Sequence, residues 1–289
     1  MNNILQSEKG LKAMESNRRQ LVIIGGAEDK KDDCTVLREF VRCAGGTKAR
    51  IAVLTAATSL PGEVGEDYIG VFERLGVEKV QVIDTDHRDD ADRDEHLRII
   101  EDSTGAFFTG GNQAKIIEYL KGTQLHELLR NRNEAGELVI AGTSAGAAMM
   151  PETMIVEGES ETNPRADVVT LGPGMGFLPG AVVDQHFTQR GRLGRLIATL
   201  VQQPVALGFG IDEDTAIVVN GDEIKVVGSH SVTIVDESEA TYNNLDEILK
   251  DEAMAVCGVK LHILPHGFRF NIKTRKPIVD DAPAPAMAS

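Results

Sequence analysis

The chain has 289 residues, of which 42% are hydrophobic and 26% charged, enough to bury the core of one large α/β domain. A net charge of −15 opposes a phosphate backbone and excludes nucleic acid as a natural partner, whereas it would attract a cationic or guanidinium-bearing substrate. No apolar run is long enough to span a bilayer, and Cys34, Cys43 and Cys257 are scattered without C-x-x-C spacing, so a disulfide framework, a thiolate zinc site and a membrane partner are not expected and a cytoplasmic setting is.

Residues 1–20 are polar, lack the apolar segment of a signal peptide, and are expected to be a flexible N-terminal segment. Leu21 to Ile24 predicts a buried strand that ends in Gly25-Gly26-Ala27-Glu28-Asp29, with no Gly-Lys-Ser/Thr to make it a phosphate loop. Helical spacing over Val36 to Cys43 stops at Gly45-Gly46. Arg50 to Leu54 and Lys79 to Ile83 predict further strands, with a helix from about Val64 to Leu75 between them. This alternation predicts parallel βαβ units and a sheet covered on both faces. The Asp-rich stretch Asp84 to Glu95 is interleaved with Arg and lacks ligand spacing, so it predicts a solvated loop into a helix through Leu97 and Ile100.

Gly105 to Phe108 predicts a fourth strand, ending in Thr109-Gly110-Gly111-Asn112-Gln113 before a helix through Ile116, Ile117 and Leu120. Thr123 to Asn133 predicts another helix, with His126 exposed. Then Leu138 to Ile140, a Gly-Thr-Ser-Ala-Gly turn and the small residues Ala145 to Ala148 spell strand, sharp turn and helix. Such a turn lifts a serine hydroxyl from the top of a sheet, so Ser144 is the candidate nucleophile, and the N–H of Ala145 at the helix start is a candidate oxyanion donor. Turns at one edge of a parallel sheet gather together, which makes a Gly111 N–H the candidate second donor and aims Gln113 into the same cleft.

Glu157 to Arg165 predicts a loop and Gly172 to Gly176 an irregular segment. Ala181 to Val183 is a short predicted strand ending in Asp184-Gln185-His186-Phe187, and a histidine at a strand end on that edge is the candidate base. Arg190, Arg192 and Arg195 open the next helix, either solvated or clamping a carboxylate. The strand Val205 to Ile211 leads into Asp212-Glu213-Asp214, one of which is expected to orient His186, and then into the strand Ala216 to Val219. Glu223 to Val227, Ser231 to Val235, Val259 to Leu264 and Phe268 to Asn271 alternate as short strands, an antiparallel extension of the sheet rather than a second domain. One domain over residues 21–275 and a disordered tail over 276–289 complete the expectation.

Together, Ile23 to Lys30, Thr109 to Gln113, Ala141 to Ala147, Val182 to Phe187 and Leu207 to Thr215 resemble the cyanophycinases, within the serine peptidases that include the α-aspartyl dipeptidases. The resemblance implies a three-layer α/β/α sandwich, flavodoxin-like and similar to class I glutamine amidotransferases, with a mostly parallel sheet, an antiparallel C-terminal extension, and Ser in place of their Cys. It implies a serine-type exopeptidase that cleaves the α-peptide backbone of cyanophycin, a polyaspartate carrying arginine on each β-carboxyl in isopeptide linkage, and releases β-Asp-Arg dipeptides through an acyl-enzyme. Ser144 is then the nucleophile, His186 the base, and Gln113, Asp184, Gln185, Arg190 and Arg195 the lining of the substrate groove, with Glu28, Asp29 and Asp184 placed to meet substrate arginines. Glu213 and Glu161 both remain candidates for the orienting acid, with Glu213 preferred because a strand end is a firmer mount than a loop. No metal or cofactor is required, and a homodimer is implied. The alternatives are an aspartyl or isoaspartyl dipeptidase on the same scaffold and a catalytically silent amidotransferase-like binding module.

Overall fold

Strands β1 (Gln20–Ile24), β2 (Arg50–Leu54), β3 (Lys79–Ile83), β4 (Gly105–Phe108) and β5 (Val139–Thr143) are parallel and lie in the order β3-β2-β4-β5-β1 in the computed structural model, which describes residues 19–204 and 206–279. The connecting helices are α1 (Thr35–Cys43), α2 (Pro61–Arg74), α3 (Arg88–Ala91), α4 (Asp94–Asp102), α5 (Gln113–Leu120) and α6 (Gln124–Glu134). Pro61 at the first turn of α2 needs no N–H partner there, and the side chains of Asn112 and Thr123 accept the N–H groups of Ala114 and His126 to start α5 and α6.

The apolar strands serve both faces of the sheet, because successive side chains point to opposite sides. Val22, Ile24, Ile51, Val53 and Phe107 pack beneath α1 and α2 with Phe40 and Phe72. Leu21, Ile23, Leu54 and Phe108 pack on the other face with Ile100 of α4, Ile116 of α5 and Leu125 of α6.

The rest of the chain comprises the short helix α7 (Ala145–Ala148), a hairpin of β6 (Thr153–Gly158) and β7 (Val169–Pro173), β8 (Ala181–Gln185), α8 (Leu193–Gln202), β9 (Leu207–Ile211), β10 (Thr215–Asn220), β11 (Glu223–Gly228) and β12 (Ser231–Asp236). The two-residue strands β13 (Tyr242–Asn243) and β14 (Val256–Cys257) follow, then β15 (Lys260–Pro265), β16 (Arg269–Asn271) and β17 (Lys276–Ile278).

The antiparallel extension expected from the sequence divides in two. β10, β11, β16 and β17 continue the main sheet beyond β1, whereas β8, β9, β12 and β15 form a separate sheet in the order β15-β12-β9-β8. Val183, Leu207, Phe209 and Ile211 of that second sheet share the core that α4 to α6 cover. Residues 212–214 therefore carry the chain from one sheet to the other at the end of β1, where Ala216 pairs with Ile24.

Four local expectations are corrected. The loop at 84–95 contains the short helix α3, and part of the loop at 157–165 belongs to the β6–β7 hairpin. His126 is buried rather than exposed, because its Nδ1 accepts the Gly122 N–H at 3.1 Å and its Nε2 lies 2.9 Å from the Met175 carbonyl. Residues 276–278 of the expected tail form β17 on β16. Most of the expected flexible segment 1–20 and the tail from residue 280, together with Val205, lie outside the described residues.

Candidate active site

β5 ends at Thr143 and α7 begins at Ala145, so Ser144 occupies the bend itself, at φ 53 and ψ −108. A non-glycine residue in that region carries strain of about 1–3 kcal/mol, which the surroundings must hold. They do so by crowding. A Cβ on Gly142 would stand 2.2 Å from the Gly146 carbonyl oxygen, and one on Gly146 would stand 2.4 Å from that of Phe108, so only hydrogen fits at either position. The N–H of Ser144 donates to the Ile24 carbonyl at 3.1 Å. Among the described residues the Ala145 N–H has no hydrogen-bond partner, as expected at a helix start.

His186 Nε2 lies 3.1 Å from Ser144 Oγ, and His186 Nδ1 lies 2.6 Å from Glu213 Oε1. A carboxylate only accepts, so Nδ1 carries the proton toward Glu213 and Nε2 is left as acceptor for the serine O–H. Burial holds the imidazole below its ordinary pKa. The Glu213 hydrogen bond works against that shift, and the Arg190 charge adds to it. The neutral ring that a general base requires is thus favoured near neutral pH. Glu161, the other candidate acid, lies on the loop against Gly191, with its N–H donating to the Gly191 carbonyl, and makes no hydrogen bond to His186 among the described residues. Glu213 is the carboxylate brought to the ring because residues 212–214 cross between sheets beside it.

The Gly25–Asp29 turn wraps this group. A Cβ on Gly26, at φ 99, would come within 2.4 Å of His186 Cε1 and Nε2, so the backbone lies directly against the imidazole. Glu28 is buried and receives hydrogen bonds from the Tyr68 hydroxyl and from Thr143 Oγ1, the latter at 2.5 Å. Glu28 thereby ties the first turn to the residue before Ser144. Sequence reasoning missed Tyr68 and Thr143. The available signal was a hydroxyl-bearing aromatic on the otherwise apolar face of α2, which needs a buried partner.

Several residues expected to line the groove are committed elsewhere. Asp184 is 1% exposed and forms a two-pronged ion pair with Arg195, Oδ2 to Nε at 2.6 Å and Oδ1 to Nη2 at 2.5 Å, with Arg192 Nη1 at 3.4 Å. Arg195 also donates to the Gly158 carbonyl and so pins the β6–β7 hairpin. Burial lowers the Arg192 guanidinium to about 10, partly offset by Asp184. Gln113 is tied to the same hairpin through the carbonyls of Ile155 and Val156, the latter at 2.5 Å, rather than opening into the cleft. Asp29 accepts the N–H groups of Lys31, Asp32 and Cys34, which hold its carboxyl down at about 2. Glu28, Asp29 and Asp184, expected to meet substrate arginines, therefore all have internal partners.

Gln185 Oε1 is buried without a partner among the described residues, and Arg190 is exposed with its charge acting on His186. A Cβ on Gly110 would meet Ser144 Cβ at 3.4 Å, and Gly111 follows against the Ala57 backbone. The Gly111 N–H has no hydrogen-bond partner among the described residues. Also among the described residues, no group of three His, Cys, Asp or Glu side chains is arranged to hold a metal ion. A hydroxyl, an imidazole and a carboxylate in this order can activate the hydroxyl for attack on an acyl carbon.

The model of Peptidase family S51 matches residues 21–227. The chain belongs to this peptidase family. The S51 match spans every element that bears the hydroxyl, the imidazole and the carboxylate. Among relatives, the chain is 39% identical over 262 residues to the cyanophycinase of Geminocystis herdmanii, covering 90% of this chain and 96% of that one. It is 39% identical over 266 residues to the cyanophycinase of Trichormus variabilis, covering 92% and 89%. The crystal structure of a peptidase from an acI-B1 Actinobacterium superposes with a TM-score of 0.63 at 20% identity, covering 89% of this chain and 98% of that one. A putative peptidase E from Listeria monocytogenes gives 0.51 at 17% identity, over 73% and 99%. At those identities the structural likeness is one of fold, and the fold is the α/β arrangement of this S51 member.

Proposed function

We propose that this protein is a cyanophycinase, a serine-type exopeptidase that hydrolyses the α-peptide backbone of multi-L-arginyl-poly-L-aspartate to β-Asp-Arg dipeptides. The observation that carries the reading is the contact of His186 Nε2 with Ser144 Oγ, with Glu213 behind the ring, in a chain 39% identical to a cyanophycinase over 90% of its length.

Ser144 Oγ attacks a backbone carbonyl carbon while His186 takes its proton, and Glu213 stabilises the imidazolium. The oxyanion forms against the N–H groups of Ala145 and Gly111, a type of interaction worth about 3–4 kcal/mol per donor in the transition state. Collapse breaks the C–N bond, and His186 returns the proton to the leaving amine. A water deprotonated by His186 then attacks the acyl-enzyme and frees Ser144. The free acceptor Gln185 Oε1 suits a guanidinium N–H, and the exposed Arg190 suits a substrate carboxylate. Three free cysteines support a reducing, cytoplasmic setting, and the active unit in this reading is a homodimer.

The test is incubation of the purified protein with insoluble cyanophycin, with released products identified by mass. Release of β-Asp-Arg by the wild type and none by Ser144→Ala is expected. Equal release by both contradicts the reading.

A further inference from the structure

Ser144 and His186 open on a cavity of about 280 Å³ whose wall includes Glu28, Lys30, Tyr68 and Gly110. Its one acid and its one lysine are not paired with each other. Both oxygens of Glu28 accept hydroxyls, and the Asp29 carboxylate is turned onto the N–H groups of Lys31, Asp32 and Cys34. Lys30 makes no ion pair among the described residues. Its Nζ lies 3.9 Å from the centroid of the Tyr68 ring, which holds the ammonium against the cavity wall, and Arg74 fixes its carbonyl from behind. A half-buried ammonium held in this way, in the cavity that Ser144 also lines, is placed to meet a carboxylate brought in by a substrate. Of Arg190 and Arg195, the two residues the sequence offers for that task, Arg195 is committed to Asp184, and Arg190 is exposed and is not among the residues lining this cavity.

We propose that Lys30 forms a carboxylate-binding subsite beside Ser144, and that a substrate carboxylate seated on its ammonium sets where the backbone is cut. The inference rests on the cyanophycinase reading and adds the anchor to it. Cyanophycin offers this group in two places, the α-carboxylate that ends the aspartate backbone and the free carboxylate of each arginine joined through its α-amine. Anchorage on the first fixes the cut relative to the chain end. Anchorage on the second fixes it relative to a branch.

Three synthetic trimers separate the cases: the natural β-Asp-Arg trimer, its C-terminal amide, and a trimer branched with agmatine, which lacks the arginine carboxylate. For the wild type, kcat/KM is expected to fall by about tenfold or more on one of the two replacements, the one that removes the anchor. Lys30→Gln brings that ratio to within about twofold of unity, and Lys30→Arg keeps it. Wild-type indifference to both replacements, or ratios in Lys30→Gln equal to those of the wild type, overturns the proposal while leaving the cyanophycinase reading intact. Cleavage of none of the trimers by the wild type overturns that reading and this subsite with it. Calorimetry on Ser144→Ala, which retains Lys30, gives a readout that needs no substitution at Lys30: the natural trimer binds about tenfold or more tighter than the analogue lacking the anchor, and equal binding overturns the proposal.

Discussion

The main-chain N–H of His186 donates to the carbonyl of Gly25 at 2.8 Å. Its two neighbours are used in the same way: the Ile24 carbonyl accepts the Ser144 N–H at 3.1 Å, and the Gly26 carbonyl accepts the Asp214 N–H at 2.9 Å. Three successive carbonyls at the end of β1 thus hold the segments bearing the hydroxyl, the imidazole and, one residue before Asp214, the carboxylate. The turn carries no reacting group in the proposed mechanism, yet it sets the distances between those that react.

Gly26→Ala tests that role. Its methyl would overlap the imidazole, so the ring must move, and a displacement of about 1 Å costs about a hundredfold in rate. The expected result is a loss of at least that size in kcat on soluble cyanophycin oligomers, with thermal unfolding showing a folded protein.

The two candidate acids separate kinetically. Glu213→Gln leaves the ring without its carboxylate and favours the wrong tautomer, so kcat is expected to fall by about 10⁴-fold. Glu161→Gln, on the loop against Gly191, is expected to stay within about tenfold of wild type. Steady-state kinetics on both variants decides between them.

The pH profile follows from the imidazole. His186 acts as base only when neutral, and burial lowers its folded pKa below the ordinary 6.5, so the acid limb of kcat/KM should fall below that pH. Arg190 contributes to the lowering. Removing its charge in Arg190→Gln therefore raises the pKa and moves the acid limb to higher pH. Profiles from about pH 4 to 8 at low ionic strength, where an exposed charge is least screened, check the sign.

Asp184 distinguishes a groove residue from a structural one. Asp184→Ala would leave Arg195 and Arg192 buried without their carboxylate, a loss of about 3–5 kcal/mol in unfolding free energy. Urea denaturation should show that loss, whereas a residue needed only to line the groove would change KM and leave stability near wild type.

The sequence made the chemistry easier to read than the architecture. Leu21 to Ile24 and Gly105 to Phe108 announce buried parallel strands, and the crowding at Gly142, Ser144 and Gly146 announces the bend, because sterics there depend on a few adjacent residues. The histidine was found as a strand-end residue beside that bend. Its sheet was not, since the apolar run Ala181 to Val183 reads the same whether it pairs with β1 or with β9. Asp184 and Arg195 enter the groove lining only through the family resemblance, and only the packing of α8 on the second sheet shows that both side chains are buried and paired. His126 failed for the same reason, its two backbone partners lying four and forty-nine residues away. The β6–β7 hairpin was missed because its strands are joined by a long polar connection without a tight-turn signal.

Organophosphonate labelling followed by mass spectrometry of the digested protein tests the central claim most directly, that Ser144 is activated by His186. A single adduct on the peptide containing Ser144, absent from His186→Ala, is the predicted result. An adduct on another residue, or labelling of Ser144 at the same rate without His186, would contradict it.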